Sequence, residues 1–512
     1  MPRRGACQVC PRRRGGYVWE IPGEDMMTVQ REARRTEPTF FGQPRALAHL
    51  FGVELWERFS FYGMQGILLI YLYYSAAEGG LGIAEDTATS IVGAYGGAVY
   101  LSTILGAWLA DRLLGPERVL FLSAIVVMAG HIALALVPGL AGVTLGLVLV
   151  AVGSGGVKAN ATSLVGALYD QGDERRDAGF SLFYLGINVG ALAGPLLTGL
   201  LQQRVGFHLG FGLAAVGMAV GLTQYAIGRH RLPGSAREVP NPLPPGRGRL
   251  AGAGFGGALL LVALLAWIGA LPASRLSTIV VVLSAVAAVA YFVVILTSRA
   301  VTAEERRRVL AFIPMFLASA VFWSLYQQQF TVVTIYSDQR LDRDLFGWEM
   351  PVSWVQSINP VFIIVLAGLF AALWTRLGPR QPSSPVKFAA GTVIMGVAFL
   401  LFLPLAGGGP NSAPLLALIG ILLVFTVAEL LLSPVGLSLS TKLAPQAFTT
   451  QMVALFFLSV ALGTAMSGTL ARFYDEAHES AYFGILGAAA IVFGVLLAAA
   501  APAIRRLMGS VR

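Results

Sequence analysis

The fold of this chain is most constrained by a series of apolar stretches, each about 20 residues long, that recurs from residue 48 to residue 504. A helix of that length crosses the hydrocarbon core of a bilayer, so each stretch is a candidate membrane span. The candidate spans lie near residues 48–74, 89–110, 119–137, 143–167, 178–201, 208–228, 250–271, 277–298, 309–335, 353–375, 387–406, 414–440, 449–471 and 481–504. The pattern predicts an all-α polytopic membrane protein with fourteen transmembrane helices.

Composition and charge argue against a soluble protein and against a nucleic-acid-binding protein. Charged residues make up 12% of the chain and hydrophobic residues 56%, whereas soluble domains carry about 25% charged residues. The net charge of +9 comes from basic residues that are distributed unevenly between the two sides of the predicted membrane. Of the 36 Lys and Arg residues, 29 lie in the two chain ends and alternate loops, and five lie in the opposite loops. Because basic residues accumulate on the cytoplasmic side, we predict that both chain ends are cytoplasmic. The pattern predicts contact with membrane lipid and no binding of nucleic acid.

Five ionisable residues lie in the interior of the predicted spans, where charges are costly and usually functional. Glu54, Glu57 and Arg58 share one face of the first span, Lys158 lies on the fourth span and Glu429 on the twelfth. Three carboxylates and two cations leave one negative charge in excess, which a single proton would neutralise. We therefore predict proton coupling and a site for a zwitterion, with the cations at its carboxylate and Glu429 at its amine. A purely structural ion-pair network is the alternative.

Four segments resemble the motifs of one known family. Residues 54–63 read E-L-W-E-R-F-S-F-Y-G and resemble the first-helix signature E-x-x-E-R-F-x-Y-Y-G of proton-dependent oligopeptide transporters, with Phe61 in place of the first Tyr. Residues 183–190 resemble the family's F-Y-x-x-I-N-x-G motif, and residues 357–360 and 429–437 are similar to its later signatures. The motifs occur in the family's order, and the resemblance extends over residues 39–505.

This resemblance implies the major facilitator fold, in which two six-helix bundles surround a central cavity and work by alternating access. Residues 106–112 resemble the cytoplasmic loop motif of that superfamily. Two spans between the bundles are then inserted helices, which carry no intramembrane charge and are not expected to line the transport path. The predicted organisation is a disordered cytoplasmic extension at 1–40, an N-terminal bundle at 41–228, a cytoplasmic linker at 229–249, inserted helices at 250–298, a C-terminal bundle at 299–505 and a cytoplasmic tail at 506–512.

The resemblance also implies roles for individual residues. Substrate binding is predicted for a set of ten, in which the cations contact the peptide carboxylate, and the acidic and amide residues receive the amine and backbone. The ten are Arg58, Tyr62, Tyr100, Lys158, Asn188, Trp323, Asn359, Glu429, Ser433 and Phe456. Proton coupling is predicted for Glu54, Glu57, Arg58 and Lys158. Each aromatic residue in the first set could instead be core packing.

The predicted outer gate departs from that of many family members, which pair an Arg on the first helix with an acid on the seventh. Gln65 and Gln327 stand at those positions, so a salt-bridge gate is not expected. If the two amides meet when the outer side closes, they form a neutral hydrogen bond instead. Two glutamines with unrelated neighbours are the alternative.

Catalytic and metal-binding patterns are not found in the sequence. Residues 153–158 superficially resemble a phosphate-binding loop, but they lie in an apolar span and lack the Lys-Ser/Thr ending. Cys7 and Cys10 have metal-like spacing without a second pair of ligands nearby. Both precede Met26 and Met27, either of which could be the true start. An enzyme, a metal site and a cofactor are therefore not expected.

The function predicted from the residues and the resemblance together is import of di- and tripeptides by proton symport. It is expected in the cytoplasmic membrane, driven by the proton gradient and carried out by a monomer. A proton-linked carrier of another small substrate, such as nitrate, an amino acid or a peptide-like drug, is the first alternative. A membrane receptor or scaffold without transport is the second, although a scaffold has no need of costly buried charges.

Overall fold

The computed structural model describes residues 40–170, 173–244 and 246–509. The extension predicted at 1–40 lies outside this range except for its last residue, as do Cys7, Cys10, Met26 and Met27. The long helices are α1 Arg45–Tyr73, α2 Glu85–Leu109, α3 Pro116–Leu136, α4 Gly139–Gly166, α5 Arg176–Val205, α6 Phe207–Gly228, α7 Arg247–Trp267, α8 Leu276–Thr297, α9 Ala303–Tyr326, α11 Ile358–Leu377, α12 Ser384–Leu400, α13 Leu415–Lys442, α14 Thr449–Ala471 and α15 Glu479–Met508. The short helix α10 covers Val332–Gln339, and β1 Asp344–Leu345 pairs antiparallel with β2 Trp348–Glu349.

Thirteen of the described helical segments are long and apolar enough to cross a membrane. α1 is not among them, since it carries Glu54, Glu57 and Arg58 in its interior, but it is 29 residues long. With α1, the described part of the chain contains the fourteen predicted spans. The protein is thus an all-α polytopic integral membrane protein, as predicted.

Three of the differences between observed and predicted boundaries change the predicted organisation. α7 begins at Arg247, inside the predicted linker, and α15 continues to Met508, inside the predicted tail. The last residues of α15, Arg506, Leu507 and Met508, are good helix formers. The predicted span 309–335 is broken: α9 ends at Tyr326, a 3₁₀ turn covers Gln327–Phe330 and α10 follows. Non-helical backbone at membrane depth is tolerated where it lines a cavity, which is its situation in this chain.

Two hydrophobic cores organise the helices. One is built mainly from α1–α6, which we call the N-terminal half, and includes the fully buried Phe211 and Tyr225. The other is built mainly from α9–α15, which we call the C-terminal half, and includes the fully buried Phe399 and Phe483. Because α10 continues the path of α9, each half has six long helices in the described chain, as a pair of six-helix bundles requires.

The two helices between the halves pack differently from each other. α7 exposes apolar side chains such as Leu250 and Trp267, whereas α8 packs against α2 and α14. At the start of α8, the Oγ of buried Ser277 lies 3.2 Å from that of Ser90 in α2 and accepts a hydrogen bond from Thr469 of α14 at 3.1 Å. α8 therefore contacts both halves.

Hydrogen bonds between the halves are found at one end of the molecule. We call the end that carries Tyr73 and Asp338 the distal face, and the opposite end, where α1 begins and α15 ends, the terminal face. The bonds between the halves join Tyr73 and Tyr74 to Asp338, Gln339 to Glu85, Gln203 to Glu349, and Ser353, Trp354 and Ser357 to backbone carbonyls of α5. Among the described residues they lie in the distal part, so the distal face is closed.

Candidate functional site: a cavity between the halves

A central cavity lies between the two halves. Its walls come from α1, α2 and α5 on one side and mainly from α9, α11, α13 and α14 on the other, and its empty space, including the part open to solvent, is about 910 Å³. Tyr184, on the part of α5 nearer the terminal face, lines the cavity. Because the distal face is closed, the cavity extends from there toward the terminal face.

Close helix crossings position the cavity side chains of the N-terminal half. α1 and α5 cross at Gly63 and Gly194, where a Cβ added to Gly194 would lie 2.9 Å from the Gly63 nitrogen. α2 and α4 cross at Gly106 and Gly156, where a Cβ added to Gly106 would lie 2.6 Å from the Gly156 Cα. Both crossings therefore require glycine, and the second brings α4, with Lys158, against α2.

Glu54, Glu57 and Arg58 form a buried ion cluster on α1. The Arg58 guanidinium donates to Glu54 Oε1 from Nε at 2.7 Å and from Nη2 at 2.5 Å, and its Nε lies 3.4 Å from Glu57 Oε2. Ser154 of α4 donates to Glu57 Oε1 at 2.6 Å. The Oε2 atoms of both glutamates receive no hydrogen bond from the described residues. A proton added at either Oε2 would change the charge of the cluster without displacing an existing hydrogen bond.

Lys158 lies against aromatic rings. Its Nζ is 4.3 Å from the centroid of the Phe61 ring and 5.1 Å from that of Tyr100, within the range of a cation–π interaction. Within the described ranges, no carboxylate forms an ion pair with Lys158. Lys158 is therefore not ion-paired with either glutamate in this conformation, and its Nζ lies against the rings of two residues that line the cavity.

Glu429 lines the opposite wall of the cavity, on α13. Its Oε2 accepts a hydrogen bond from Asn359 Nδ2 of α11 at 3.2 Å, and the same nitrogen donates to Thr426 Oγ1 at 3.0 Å. Tyr326 of α9 donates to Asn359 Oδ1 at 3.2 Å, which fixes the amide from its other side. Glu429 has no cationic partner among the described residues. A carboxylate oriented in this way can receive the ammonium group of a ligand.

The distal end of the cavity is bordered by amide side chains. Gln65, Gln327, Gln329 and Gln356 all line it, and Gln356 donates to Thr334 Oγ1 at 3.3 Å. Gln65 and Gln327 are not joined by a hydrogen bond in the described structure, although the distal face is closed. The hydrogen bond predicted between them is absent from this conformation.

Most of the predicted substrate-binding residues lie at the cavity. Seven line the cavity: Tyr62, Tyr100, Asn188, Trp323, Asn359, Glu429 and Ser433. Arg58 lies behind them in the ion cluster, and Lys158 lies against the rings of two lining residues. Phe456 packs in the C-terminal core, with its ring centroid 5.7 Å from that of Phe457, so the structure places it in the core and not in the cavity wall.

Sequence reasoning missed several polar neighbours of these residues. Ser154 precedes Lys158 by four positions and Thr426 precedes Glu429 by three, so helical spacing alone could have placed each pair on one face. Tyr326 has no such signal, because its contact with Asn359 depends on how α9 packs against α11. Residues 153–158 lie in the interior of α4, so they form a helix and not a phosphate-binding loop.

Comparisons with known sequences identify the family. The family model PTR2, described as the POT family, matches residues 117–489. A di-/tripeptide transporter of Lactococcus lactis subsp. cremoris is 42% identical over 496 residues, which cover 93% of this chain and 99% of that one. The uncharacterized transporter YclF of Bacillus subtilis (strain 168) is 43% identical over 477 residues, covering 92% of this chain and 96% of that one.

Solved structures share the fold over most of the chain. The crystal structure of a peptide transporter POT in complex with sulfate matches with a TM-score of 0.88 at 45% identity, covering 92% of this chain and 97% of that chain. The crystal structure of a POT family transporter in complex with 5-aminolevulinic acid matches with a TM-score of 0.85 at 37% identity, covering 91% and 98%. These matches confirm the predicted major facilitator fold with two inserted helices. The chain belongs to the POT family of transporters.

Proposed function

We propose that this protein imports di- and tripeptides together with protons by alternating access. The observation that carries the proposal is the opposite charge at the two walls of the cavity. Lys158 lies beside the N-terminal wall, with Arg58 behind it, and Glu429 lies on the C-terminal wall. A peptide is a zwitterion with its charges at opposite ends, so one molecule can meet both walls. The relative named a di-/tripeptide transporter supports this substrate class.

Binding of such a substrate would connect the two halves of the protein. Its carboxylate would form a charge-assisted bond with Lys158, and its amine would form one with Glu429. Asn188 and Asn359 also line the cavity, and their amides can donate to and accept from the peptide backbone. Because the two charged ends attach to different halves, the bound peptide would favour their approach at the terminal face.

Proton coupling is proposed for the ion cluster on α1 together with Lys158. Glu54 and Glu57 each offer an Oε2 without a donor, and Arg58 contacts both carboxylates. A proton on one of them would weaken its attraction for Arg58 and leave the guanidinium freer to contact a substrate carboxylate. In this way proton uptake and peptide binding would favour each other.

We further propose that the terminal face is cytoplasmic and the distal face extracellular, in the cytoplasmic membrane. The excess of Lys and Arg at the chain ends and in the loops of the terminal face supports this orientation. The conformation closed at the distal face is then open to the cytoplasm. Each monomer has its own cavity, so we propose that the monomer is the transporting unit, with lipid around it and the proton gradient as driving force.

Uptake of a labelled dipeptide into proteoliposomes tests the proposal. We expect accumulation above the external concentration when the outside is acidic, and only equilibration when the proton gradient is collapsed. Uptake that is the same with and without the gradient would contradict proton coupling. Lack of any peptide uptake by well-reconstituted protein would contradict the proposed substrate class.

Competition by other compounds separates the alternative substrates. Nitrate, free amino acids and 5-aminolevulinic acid, the compound bound in a 37% identical relative, should each be added at the same concentration as unlabelled dipeptide. We expect the dipeptide to compete best, since it alone combines both charges with a peptide backbone. Stronger competition by one of the others would reassign the substrate to that class.

A further inference from the structure

The closure of the distal face centres on Asp338, near the end of α10. Tyr73 donates its hydroxyl to Asp338 Oδ2 at 2.5 Å, and Tyr74 donates to Oδ1 at 2.8 Å. Both tyrosines belong to the N-terminal half, at the end of α1, whereas Asp338 belongs to the C-terminal half. The Asp338 side chain is 13% exposed. One carboxylate thus receives two hydroxyl groups from across the interface between the halves.

Asp338 is fixed from within its own half. Arg343 lies 3.3 Å from Asp338 Oδ1, and the same guanidinium pairs with Glu349 Oε1 at 2.7 Å. Arg340 pairs with Glu479 Oε1 of α15 at 3.1 Å, which anchors the end of α10. The carboxylate is therefore a fixed part of the C-terminal half, which Tyr73 and Tyr74 reach from the other side.

We propose that Asp338 closes the distal gate of the transport cycle by binding the hydroxyl groups of Tyr73 and Tyr74. This inference rests on the alternating access of the proposed function. When the halves separate at the distal face, the carboxylate and the two hydroxyls would exchange their mutual bonds for bonds to water. The gate then consists of one carboxylate that binds two phenol hydroxyls across the interface. Gln65 and Gln327 stand at the positions of the usual salt-bridge gate, but as neutral amides they cannot form an ion pair.

The other side-chain contacts near this face are weaker candidates for the gate. The bonds from Gln339 to Glu85 and from Gln203 to Glu349 are exposed, so water already competes for them. The bonds to backbone carbonyls of α5 are buried or part-buried, but both partners are neutral; their donors are Ser353, Trp354 and Ser357. The two bonds to Asp338 are part-buried and charge-assisted, and hydrogen bonds of that kind are about twice as strong as neutral ones. Removing them should therefore change the balance between open and closed forms most.

The test measures the separation of the halves directly. Spin labels are attached at Ala77→Cys in the N-terminal half and Phe346→Cys in the C-terminal half, two exposed distal positions, in a background with Cys7→Ser and Cys10→Ser. Pulsed electron–electron double resonance then gives the distribution of distances between the two labels. We expect the double variant Tyr73→Phe/Tyr74→Phe to raise the ratio of the long-distance to the short-distance population by about tenfold, as expected for the loss of one or two net hydrogen bonds.

Tyr474→Phe is the matched control. Tyr474 donates its hydroxyl to Glu479 Oε1 at 2.8 Å on the same face, but both residues belong to the C-terminal half. The same chemical change keeps the ion pair between Arg340 and Glu479 that anchors α10, so it should leave the distance distribution unchanged. An equal shift in this control and in the double variant would show that the effect is a general loosening of the face, and would overturn the proposal.

Asp338→Asn gives a second variant of similar shape in case the double variant fails to fold. It removes the charge that makes both bonds strong, so it should shift the distribution in the same direction. An unchanged distribution in either folded variant would overturn the assignment of the gate to Asp338. The measurement needs neither substrate nor proton gradient, so its outcome is independent of whether the protein carries peptides.

Discussion

Arg58 and Glu54 form an ion pair between neighbouring turns of α1, with Nη2 and Oε1 2.5 Å apart and side chains that are only 7% and 2% exposed. The same spacing and the same distance occur between Arg308 and Glu304 at the start of α9, where the glutamate is 68% exposed. Exposed pairs of this kind contribute about 0–1 kcal/mol, whereas breaking a buried pair leaves an uncompensated charge. The two pairs have the same local geometry, and burial decides their importance.

We predict that Glu54→Gln abolishes proton-driven accumulation while exchange of labelled for unlabelled peptide continues. The amide cannot carry the exchangeable proton, but it keeps an oxygen that can accept from Arg58. The accumulation ratio under an inward proton gradient should fall to about one, measured against peptide counterflow in the same proteoliposomes. Glu304→Gln is the control, because it makes the same change in the exposed Arg308–Glu304 pair. Proteoliposomes with this variant should accumulate peptide normally. Normal accumulation by the Glu54 variant would exclude this residue from the coupling.

Lys158→Ala is predicted to slow uptake by at least about tenfold, since it would remove the charge-assisted contact proposed between Lys158 and the substrate carboxylate. Lys387→Ala is a suitable control because its Nζ also lies over an aromatic ring, 3.9 Å from the centroid of Trp374. Trp374 does not line the cavity, whereas the rings beside Lys158 do. Initial rates should be compared at equal reconstituted protein. Loss of rate in both variants would indicate a structural effect of removing a cation–π contact.

The Glu429→Gln variant should bind a dipeptide more weakly by about 1.5–3 kcal/mol, the contribution of a hydrogen bond to a charged group. Binding of an analogue that lacks the amine should change little, because Glu429 would have no ammonium to receive. Calorimetric titration with both ligands measures the difference. An equal loss for both would mean that Glu429 does not hold the amine.

Gln65 and Gln327 should behave as independent sites in a double-mutant cycle. They line the same cavity without a hydrogen bond between them, so the coupling of Gln65→Ala and Gln327→Ala on uptake should stay below about 0.3–0.5 kcal/mol. A larger coupling would show that the two amides meet in another conformation, as the sequence-based hypothesis requires.

Topology predicts which reagent reaches which loop. In the background without Cys7 and Cys10, Phe346→Cys should react with an impermeant maleimide added outside cells, and Ser235→Cys should react only after permeabilisation. Both positions are exposed, so access to the thiol is decided by the membrane. The reverse pattern would invert the orientation of the terminal and distal faces.

Contacts within one helix could be predicted from the sequence, and contacts across helices could not. Glu54, Glu57 and Arg58 had to meet because helical spacing fixes their distance. The rings around Lys158 depend on the glycine crossing of α2 and α4, which periodicity does not reveal. The break at Gln327–Phe330 was missed because residues 309–335 contain neither Gly nor a proline near the break. The break lies beside the cavity, and the packing of the helices around that cavity is not encoded in the local sequence pattern.

The Asp338 contacts were missed for a related reason. Tyr73 and Tyr74 close the first apolar run, where aromatic residues at a membrane interface are common, so the sequence gives them no particular partner. Asp338 lies eleven residues beyond Gln327, after a helix break that the predicted span did not contain. Their meeting requires the relative placement of two halves that are far apart along the chain.

The closed distal face also determines what a binding experiment on purified protein reports. In detergent both faces meet the same solution, so a ligand enters through the terminal face and occupies the cavity of the conformation seen here. A ligand confined to the distal side can bind only the fraction of molecules that are open there, and its apparent Kd is larger by the reciprocal of that fraction. Compounds selected by affinity for solubilised protein will therefore be biased toward inhibitors that act from the terminal side.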